Sequence, residues 1–159
     1  MVRLLKSKDS IGLNEFLKNY KDEDFYFTEK NNRFYINNIK VFKRIKPINP
    51  RILEEKGEIL GIIFLWKSIG NNITRYYIKL NAINKELAKK LLDVCLWNEK
   101  RELFIKINKK SPLLQIFKEK NFRFLGDRGR EILFFKDNKI NLNKEKTNGE
   151  YNISSSVSY

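Results

Sequence analysis

The apolar run from Ile59 to Trp66 is the feature that most limits what this chain can fold into. The run is too short for a typical helix, and it is typical of a central strand that is covered on both faces. Gly70-Asn71-Asn72 then predicts a turn, after which side chains of different character alternate from Thr74 to Ala82. The sequence therefore predicts an antiparallel hairpin at the centre of a sheet.

Helical patterns alternate with short strands elsewhere in the chain. Asn84 is a candidate cap for a helix whose apolar stripe runs from Leu87 to Leu96. Asp9-Ser10 and Ser111-Pro112 predict the starts of two further helices. Further strands are predicted at residues 2–6, 102–107, 122–125 and 131–136. Because a helix separates the second hairpin strand from the next strand, these two strands can run parallel.

The part of the chain between the first helix and the hairpin is harder to interpret. Residues 21–32 are charged around Phe25-Tyr26-Phe27, a pattern compatible with a short helix or with a strand edge. Aromatic and β-branched residues at 33–46 predict β structure that ends at Pro47. Because proline lacks an N–H donor and restricts the residue before it, Pro47, Asn49 and Pro50 predict a loop that lasts until Gly57.

Length and composition predict one folded domain with a polar tail. A chain of 159 residues with 42% hydrophobic residues suits a single core. We expect this domain to span residues 1–136, and we expect residues 137–159, rich in Asn, Lys and Ser, to be a flexible tail. One cysteine, no signal-peptide pattern and no bilayer-length apolar run predict a cytoplasmic protein that does not enter a membrane. With no histidine and one cysteine, no metal site is predicted.

The chain is strongly basic, with a formal net charge of +14. Such a charge attracts polyanions, and nucleic acid is the obvious partner. A compositional origin is an equally good explanation, because lysine is the default solubilising residue of an Ile-, Asn- and Phe-rich chain. The candidate nucleic-acid-binding residues are Lys40, Lys43, Arg44, Lys109, Lys110, Arg128 and Arg130.

The order of predicted elements, and the segment from Ser111 to Gly126 above all, resembles the Gcn5-related N-acetyltransferase (GNAT) family. In that family a late helix ending in Tyr-Glu-Lys-x-Gly-Phe leads into the last strands, and here the matching residues run from Phe117 to Phe122. The resemblance implies a mixed α+β (α/β) fold with a mostly antiparallel central sheet flanked by helices. It also implies acetyl-CoA or another acyl-CoA as coenzyme, bound where two parallel strands diverge beside the helix that starts at Asn84.

The residues at the implied coenzyme site depart from the family pattern. The family binds the coenzyme pyrophosphate with a glycine-rich loop, because glycines let backbone N–H groups reach the phosphates. Here the corresponding stretch has no glycine, and it places Glu86 near the phosphates. Lysines can substitute in part as point charges. The candidate coenzyme-binding residues are Ala82, Ile83, Asn84, Lys85 and Lys89.

The catalytic residues implied by the resemblance are also altered. Phe117 stands where many family members have a tyrosine that protonates the departing thiolate, and phenylalanine cannot transfer a proton. Asn121 replaces a glycine, which is a mild change because asparagine tolerates the left-handed conformation. Glu58 is the candidate general base, and a solvated glutamate at the end of a strand is the simpler interpretation.

Two functions follow from these observations. The first is a divergent acyl-CoA-dependent N-acyltransferase that acts on an amine, for example one carried on a nucleic acid. The second is a non-catalytic GNAT-like module that binds nucleic acid or a protein partner through its basic faces. The composition also suggests a protein of a phage or other mobile element, which would act in the host cytoplasm.

Overall fold

The computed structural model describes residues 1–138 and shows seven strands in one mixed sheet. The strands of this sheet are β1 (Val2–Leu4), β4 (Ile48–Glu55), β5 (Glu58–Gly70), β6 (Ile73–Ala82), β7 (Glu102–Asn108), β8 (Arg123–Arg128) and β9 (Glu131–Asp137). Their order across the sheet is β1-β4-β5-β6-β7-β9-β8, and every neighbouring pair is antiparallel except β6 and β7. This mixed, mostly antiparallel sheet confirms the predicted fold class. The predicted tail at 137–159 lies, from residue 139 onward, outside the described residues.

The central hairpin is β5 and β6, as the apolar run predicts. Its register extends without interruption from Gly61 opposite Ala82 to Gly70 opposite Ile73. Asn71 and Asn72 form the turn with φ angles of 49° and 65°, a left-handed conformation that asparagine tolerates well. The hairpin therefore places the end of β6 beside the start of β5.

The predicted loop at 47–56 is wrong, because most of it forms strand β4. The pairing of β4 with β5 shifts register between Ile48 and Arg51, which places Asn49 and Pro50 at a bulge. Asn49 has a φ of 50°, and the carbonyl oxygen of Pro50 accepts a hydrogen bond from the Leu5 N–H. A proline at a bulge costs the sheet little, since the ladder is already interrupted there.

The predicted β structure at 33–46 is correct only at its start. A separate two-stranded sheet is formed by β2 (Tyr26–Glu29) and β3 (Asn32–Tyr35), and a short helix, α2 (Ile39–Arg44), follows it. Asn38 caps this helix by accepting a hydrogen bond from the Val41 N–H, and Phe42 is buried beneath it. Capping and burial together override the β propensity of the β-branched residues.

Three further helices pack on the main sheet. They are α1 (Ser10–Asn19), α3 (Lys85–Leu96) and α4 (Leu114–Glu119). Asn84 caps α3 as predicted, with its side-chain oxygen accepting a hydrogen bond from the Leu87 N–H at 2.9 Å. Helix α4 begins three residues after Ser111, because the Ser111 hydroxyl oxygen accepts the Leu113 N–H at 3.1 Å in a turn before the helix. None of the helices among residues 1–138 has the length and apolar character that a membrane crossing requires.

Each face of the sheet has its own core. On one face, α3 and α4 pack on the sheet around the fully buried Leu91 and Phe117. On the other face, α1, α2 and the β2–β3 hairpin surround Phe25 and Phe64, whose rings meet edge to face at 5.8 Å. Helix α3 approaches β5 closely at Gly61, where an added Cβ would lie 2.7 Å from Leu91 Cδ1. This close packing fixes the start of α3 next to the end of β6.

Candidate functional site

The parallel strands β6 and β7 separate soon after they meet. Their register contains only Tyr76 opposite Leu103 and Tyr77 opposite Phe104. Beyond these pairs β6 continues to Ala82 and β7 to Asn108 without a shared ladder. A gap therefore opens at the carboxyl ends of the two strands, which is where open sheets with parallel strands usually bind ligands.

The segment from Tyr20 to Phe25, which we call the bridge segment, spans this gap. On the β6 side, the Asn81 side-chain amide donates a hydrogen bond to the Tyr20 carbonyl oxygen at 2.7 Å. On the β7 side, Asp24 Oδ1 accepts the backbone N–H of Asn108 at 3.0 Å. Phe25 then anchors the segment in the core. The bridge segment thus brings its acidic residues to the point where the strands diverge.

Two cavities meet at the bridge segment. The first, which we call the helix cavity, has a volume of about 510 Å³ and is lined by the end of β6, the start of α3 and residues 110–113. The second, which we call the hairpin cavity, has a volume of about 480 Å³ and is lined by β3 and the turn between β8 and β9. Residues 21–24 and Asn108 line both cavities. Both cavities therefore border the bridge segment, and Asp24 is among the residues that they share.

Asp24 has an unusual carboxyl group. Burial, and after it the negative charge of Asp22, raise its pKa to about 6, and the hydrogen bond from the Asn108 N–H opposes the rise. Burial also raises the pKa of Asp22. A carboxylate with a pKa near 6 is ionised at neutral pH and binds a proton more readily than an exposed one. Asp24 is therefore suited to accept a proton from a bound molecule.

A buried polar network lies behind the hairpin cavity. Glu131 is buried and accepts hydrogen bonds from the Tyr26 hydroxyl and, at 3.1 Å, from Arg33 Nη2. The Arg33 guanidinium also lies 4.3 Å from the centre of the Tyr26 ring. Burial and the hydrogen bond to Glu131 both raise the pKa of the Tyr26 hydroxyl, so it remains protonated. The network fixes the β2–β3 hairpin against β9.

Lys79 completes this network from strand β6. Its side chain is only 4% exposed, and its ammonium lies 4.8 Å from the Tyr26 ring centre and 5.3 Å from that of Trp66. Burial, and after it the positive charge of Lys106, lower its pKa to about 7. A cation held between aromatic rings is stabilised by their electron-rich faces, which offsets part of the cost of burial.

Comparison with known proteins was made by sequence and by structure. No protein-family model and no curated protein matches the sequence. Solved structures do match: a GNAT-family acetyltransferase from Streptococcus pneumoniae superimposes with a TM-score of 0.65 at 14% identity, covering 86% of this chain and 97% of that one. The fold is that of the GNAT acetyltransferases. This outcome confirms the fold that the late segment and the element order suggest.

Two further GNAT-fold structures contain a coenzyme. One is a putative acetyltransferase, yncA, from Salmonella typhimurium with acetyl-CoA, at a TM-score of 0.57 and 13% identity over 85% of this chain and 90% of that one. The other is the PaiA N-acetyltransferase of Thermoplasma acidophilum with coenzyme A, at 0.57 and 17% identity over 86% and 98%. At these identities the likeness shows the GNAT fold and no more.

The structure brings together most of the candidate coenzyme-binding residues. Ala82, Ile83, Asn84 and Lys85 line the helix cavity. Lys89 lies one turn further along α3, is exposed and does not line this cavity. The parallel strands diverge beside Asn84 as the GNAT resemblance implies.

The helix cavity offers charge in place of the glycine loop of the GNAT family. No residue from 82 to 88 has a positive φ, and the Asn84 side chain already accepts the Leu87 N–H, so the backbone does not form a phosphate-binding nest. Lys85 and Lys110 line the cavity and supply positive charge, and Asp22, Glu23 and Asp24 line it with negative charge. The residues that would hold the phosphates of an acyl-CoA here are the two lysines, by charge and not through a backbone nest.

The other GNAT-like positions behave as the residue types predict. Phe117 has no exposed surface and packs edge to face against Phe122 in the core, so no proton donor stands there. Asn121 has a φ of 70° and adopts the left-handed conformation of the glycine it replaces. Glu58 is exposed beside the turn between β4 and β5 and lines neither cavity. Its role as a base stays a prediction.

The candidate nucleic-acid-binding residues fall into two groups. Lys40, Lys43 and Arg44 lie on α2 and line neither cavity, and Arg44 forms an ion pair with Glu29 at 2.6 Å. The second group lies around the ends of β7, β8 and β9, and one member, Lys109, forms an ion pair with Asp127 at 2.7 Å. The members that line a cavity are Lys110 in the helix cavity and Arg128 and Arg130 in the hairpin cavity.

Sequence reasoning missed Asp24 and Asn108, which are hydrogen-bonded to each other and are among the residues shared by both cavities. A usable signal was present, because Asp22-Glu23-Asp24 is an acidic run in a chain of net charge +14. The partner strand of Asp24, however, lies 84 positions away, and no local pattern indicates that pairing.

Proposed function

We propose that this protein is an acyl-CoA-dependent N-acyltransferase of divergent GNAT type. One observation carries the proposal: two cavities lie beside the gap between β6 and β7, and both are lined by Asp24, whose carboxyl pKa is raised to about 6. A two-substrate transfer needs two binding spaces and a proton acceptor where they meet. The GNAT fold of the chain agrees with this arrangement.

The helix cavity is the proposed coenzyme site. Lys85 and Lys110 would bind the phosphates by charge, and Ala82 and Ile83 would border the acyl arm. A bound acyl-CoA supplies an activated acyl group, on whose carbon an amine nitrogen replaces the sulfur while the coenzyme leaves as a thiolate. With lysine charges in place of a backbone nest, the affinity should depend strongly on salt.

Asp24 is the proposed general base. An amine arrives at neutral pH as an ammonium ion, and it must lose a proton before its nitrogen can attack. The Asp24 carboxylate accepts that proton, and the Asn108 N–H holds its Oδ1 in place, which leaves Oδ2 to take the proton. Because Phe117 cannot donate a proton, the chain's own proton chemistry is confined to the amine.

The test measures release of free thiol from acetyl-CoA with a panel of primary amines. We expect transfer by the unchanged protein and a loss of about 100-fold or more for Asp24→Asn, the size typical of a lost general base. The matched control is Asp93→Asn, since Asp93 is exposed on α3 and forms an ion pair with Lys120 away from both cavities. Equal activity of the Asp24 and Asp93 variants would contradict the role of Asp24, and no transfer to any amine would contradict the function.

A second candidate function is a non-catalytic GNAT-like module that binds nucleic acid or a protein partner. The capped, glycine-free start of α3 and the buried Phe117 favour it. Lys40 and Lys43 on α2, with Arg128 and Arg130, would then contact phosphates. Gel-shift titrations with duplex and single-stranded DNA at rising salt test this alternative. Binding that weakens steeply with salt supports it, whereas unchanged mobility at low salt excludes its nucleic-acid form.

A further inference from the structure

Two arginines of the hairpin cavity have no acidic partner within residues 1–138. Arg128 ends β8 and Arg130 precedes β9, so one tight turn carries both side chains to this cavity. Both residues are exposed, and no ion pair within the described part of the chain includes either of them. Their neighbour Asp127 instead forms its ion pair with Lys109. The two guanidinium groups are therefore available to a ligand.

The third arginine of the hairpin cavity is already engaged. Arg33 donates to Glu131 and lies over the Tyr26 ring, so its guanidinium belongs to the network that holds the hairpin. Glu131 is likewise engaged, because its carboxylate accepts hydrogen bonds from Tyr26 and Arg33. The charges that remain for a bound molecule are Arg128 and Arg130 from the β8–β9 turn, and Lys21 with the carboxylates of Asp22, Glu23 and Asp24 from the bridge segment.

This charge distribution matches a molecule that carries both signs. A guanidinium group binds phosphate through paired, parallel hydrogen bonds, and two such groups suit a doubly charged phosphate better than a single carboxylate. The bridge-segment carboxylates suit an ammonium group, which they would hold beside Asp24. A volume of about 480 Å³ suits a small molecule.

We infer that the acceptor of the proposed transfer is an amine that also carries a phosphate group, with Arg128 and Arg130 binding the phosphate and the bridge segment binding the ammonium. The inference rests on the proposed function only where it calls the bound amine the acceptor. The binding site itself does not, because the charges of the hairpin cavity are present without coenzyme. Binding can therefore be tested separately from catalysis.

The experiment measures the affinity of three small amines for the full chain by calorimetry without coenzyme. The probes are propylamine, β-alanine and 2-aminoethylphosphonate, which share an aminoethyl group and differ in the methyl, carboxylate or phosphonate at its other end. We expect 2-aminoethylphosphonate to bind about tenfold more tightly than either of the others, as two charge-assisted arginine contacts predict. Equal binding of all three, or tighter binding of β-alanine, overturns the inference.

A matched pair of double variants tests the residues. Arg128→Gln with Arg130→Gln should abolish the preference for the phosphonate. The control, Arg75→Gln with Arg123→Gln, removes the same charge from two arginines that lie over Phe104 and Phe135 and line neither cavity. The control should keep the preference for the phosphonate. Loss of the preference in both double variants would show that net charge alone attracts the phosphonate, and it would contradict a site at Arg128 and Arg130.

The results also separate this inference from the proposed function. Acetyl transfer to simple amines, with no preference for the phosphonate, refutes the phosphate site and leaves the acyltransferase proposal intact. Binding of the phosphonate through Arg128 and Arg130, with no acetyl transfer to it or to any other amine, supports the ligand site and contradicts the acyltransferase proposal.

Discussion

The replacement of Asp24 by asparagine should make the protein more stable while it removes activity. The amide keeps an oxygen that can accept the Asn108 N–H, so the local geometry is preserved. What disappears is a partly buried negative charge close to Asp22, Glu23 and Glu131. Residues placed for catalysis commonly cost stability in this way, because their charge is held where it is poorly solvated.

The size of the effect follows from the pKa of Asp24. A rise from the ordinary value of 3.8 to about 6 corresponds to about 3 kcal/mol at most, at about 1.4 kcal/mol for each pH unit. Because the side chain is only half-buried and solvent screens it, we expect about 1–2 kcal/mol. In a domain of this size that gain raises the Tm by about 3–6 °C.

The sign of the effect depends on pH. Below pH 3.8 the carboxyl is protonated in the folded and unfolded states alike, and the charge costs nothing. As pH rises toward 6, the unfolded state releases its proton first, so the wild type loses stability relative to the variant. Above that range the difference is constant.

The stability difference is measured by thermal unfolding at a series of pH values. The proteins compared are the wild type, Asp24→Asn and the control Asp93→Asn. The account predicts that Asp24→Asn gains stability at pH 8 and that the gain vanishes near pH 4. A variant that is less stable than the wild type at pH 8, or a difference that does not change with pH, would refute the reasoning. The control should show neither the gain nor its pH dependence.

Three further substitutions test the surroundings of the site. Lys79→Met should stabilise the protein by about 1–4 kcal/mol at pH 6, where the buried ammonium is charged. In urea titrations this gain in the free energy of unfolding should narrow between pH 7 and pH 10.5. Over that range Lys79 loses its proton in the folded wild type before it does in the unfolded chain, so the wild type becomes more stable. Leu91→Ala should lower the free energy of unfolding by about 3–5 kcal/mol and move the urea midpoint without changing the m-value, since a cavity opens under α3. Phe117→Tyr should cost about 1–3 kcal/mol in the same assay without increasing acetyl transfer, because its hydroxyl enters the core rather than the gap.

The sequence predicts the centre of the fold well, because local patterns specify it. The apolar run, the Asn71-Asn72 turn and the Asn84 cap each carry their own signal, and each is confirmed. The left-handed Asn121 is confirmed for the same reason. These features depend on residues a few positions apart, which is the range over which propensity and periodicity act.

The errors arise where tertiary contacts decide. Pro50 predicts a loop, yet a bulge lets it sit in β4 next to β5. The β-branched residues around Val41 predict a strand, yet the Asn38 cap and the burial of Phe42 make a helix. Asp24 has no motif of its own, since its position depends on a hydrogen bond to the distant Asn108. The candidate site is thus an arrangement of distant residues, and only its β6–α3 half could be predicted locally.

The most direct test of the central claim is a two-dimensional NMR titration of the labelled protein with acetyl-CoA at low salt. The account predicts that the largest shifts fall on the backbone amides of Ala82, Ile83, Asn84 and Asn108, and that added salt weakens them. No shifts at millimolar coenzyme, or shifts confined to α2, would contradict the claim that the gap between β6 and β7 binds the coenzyme.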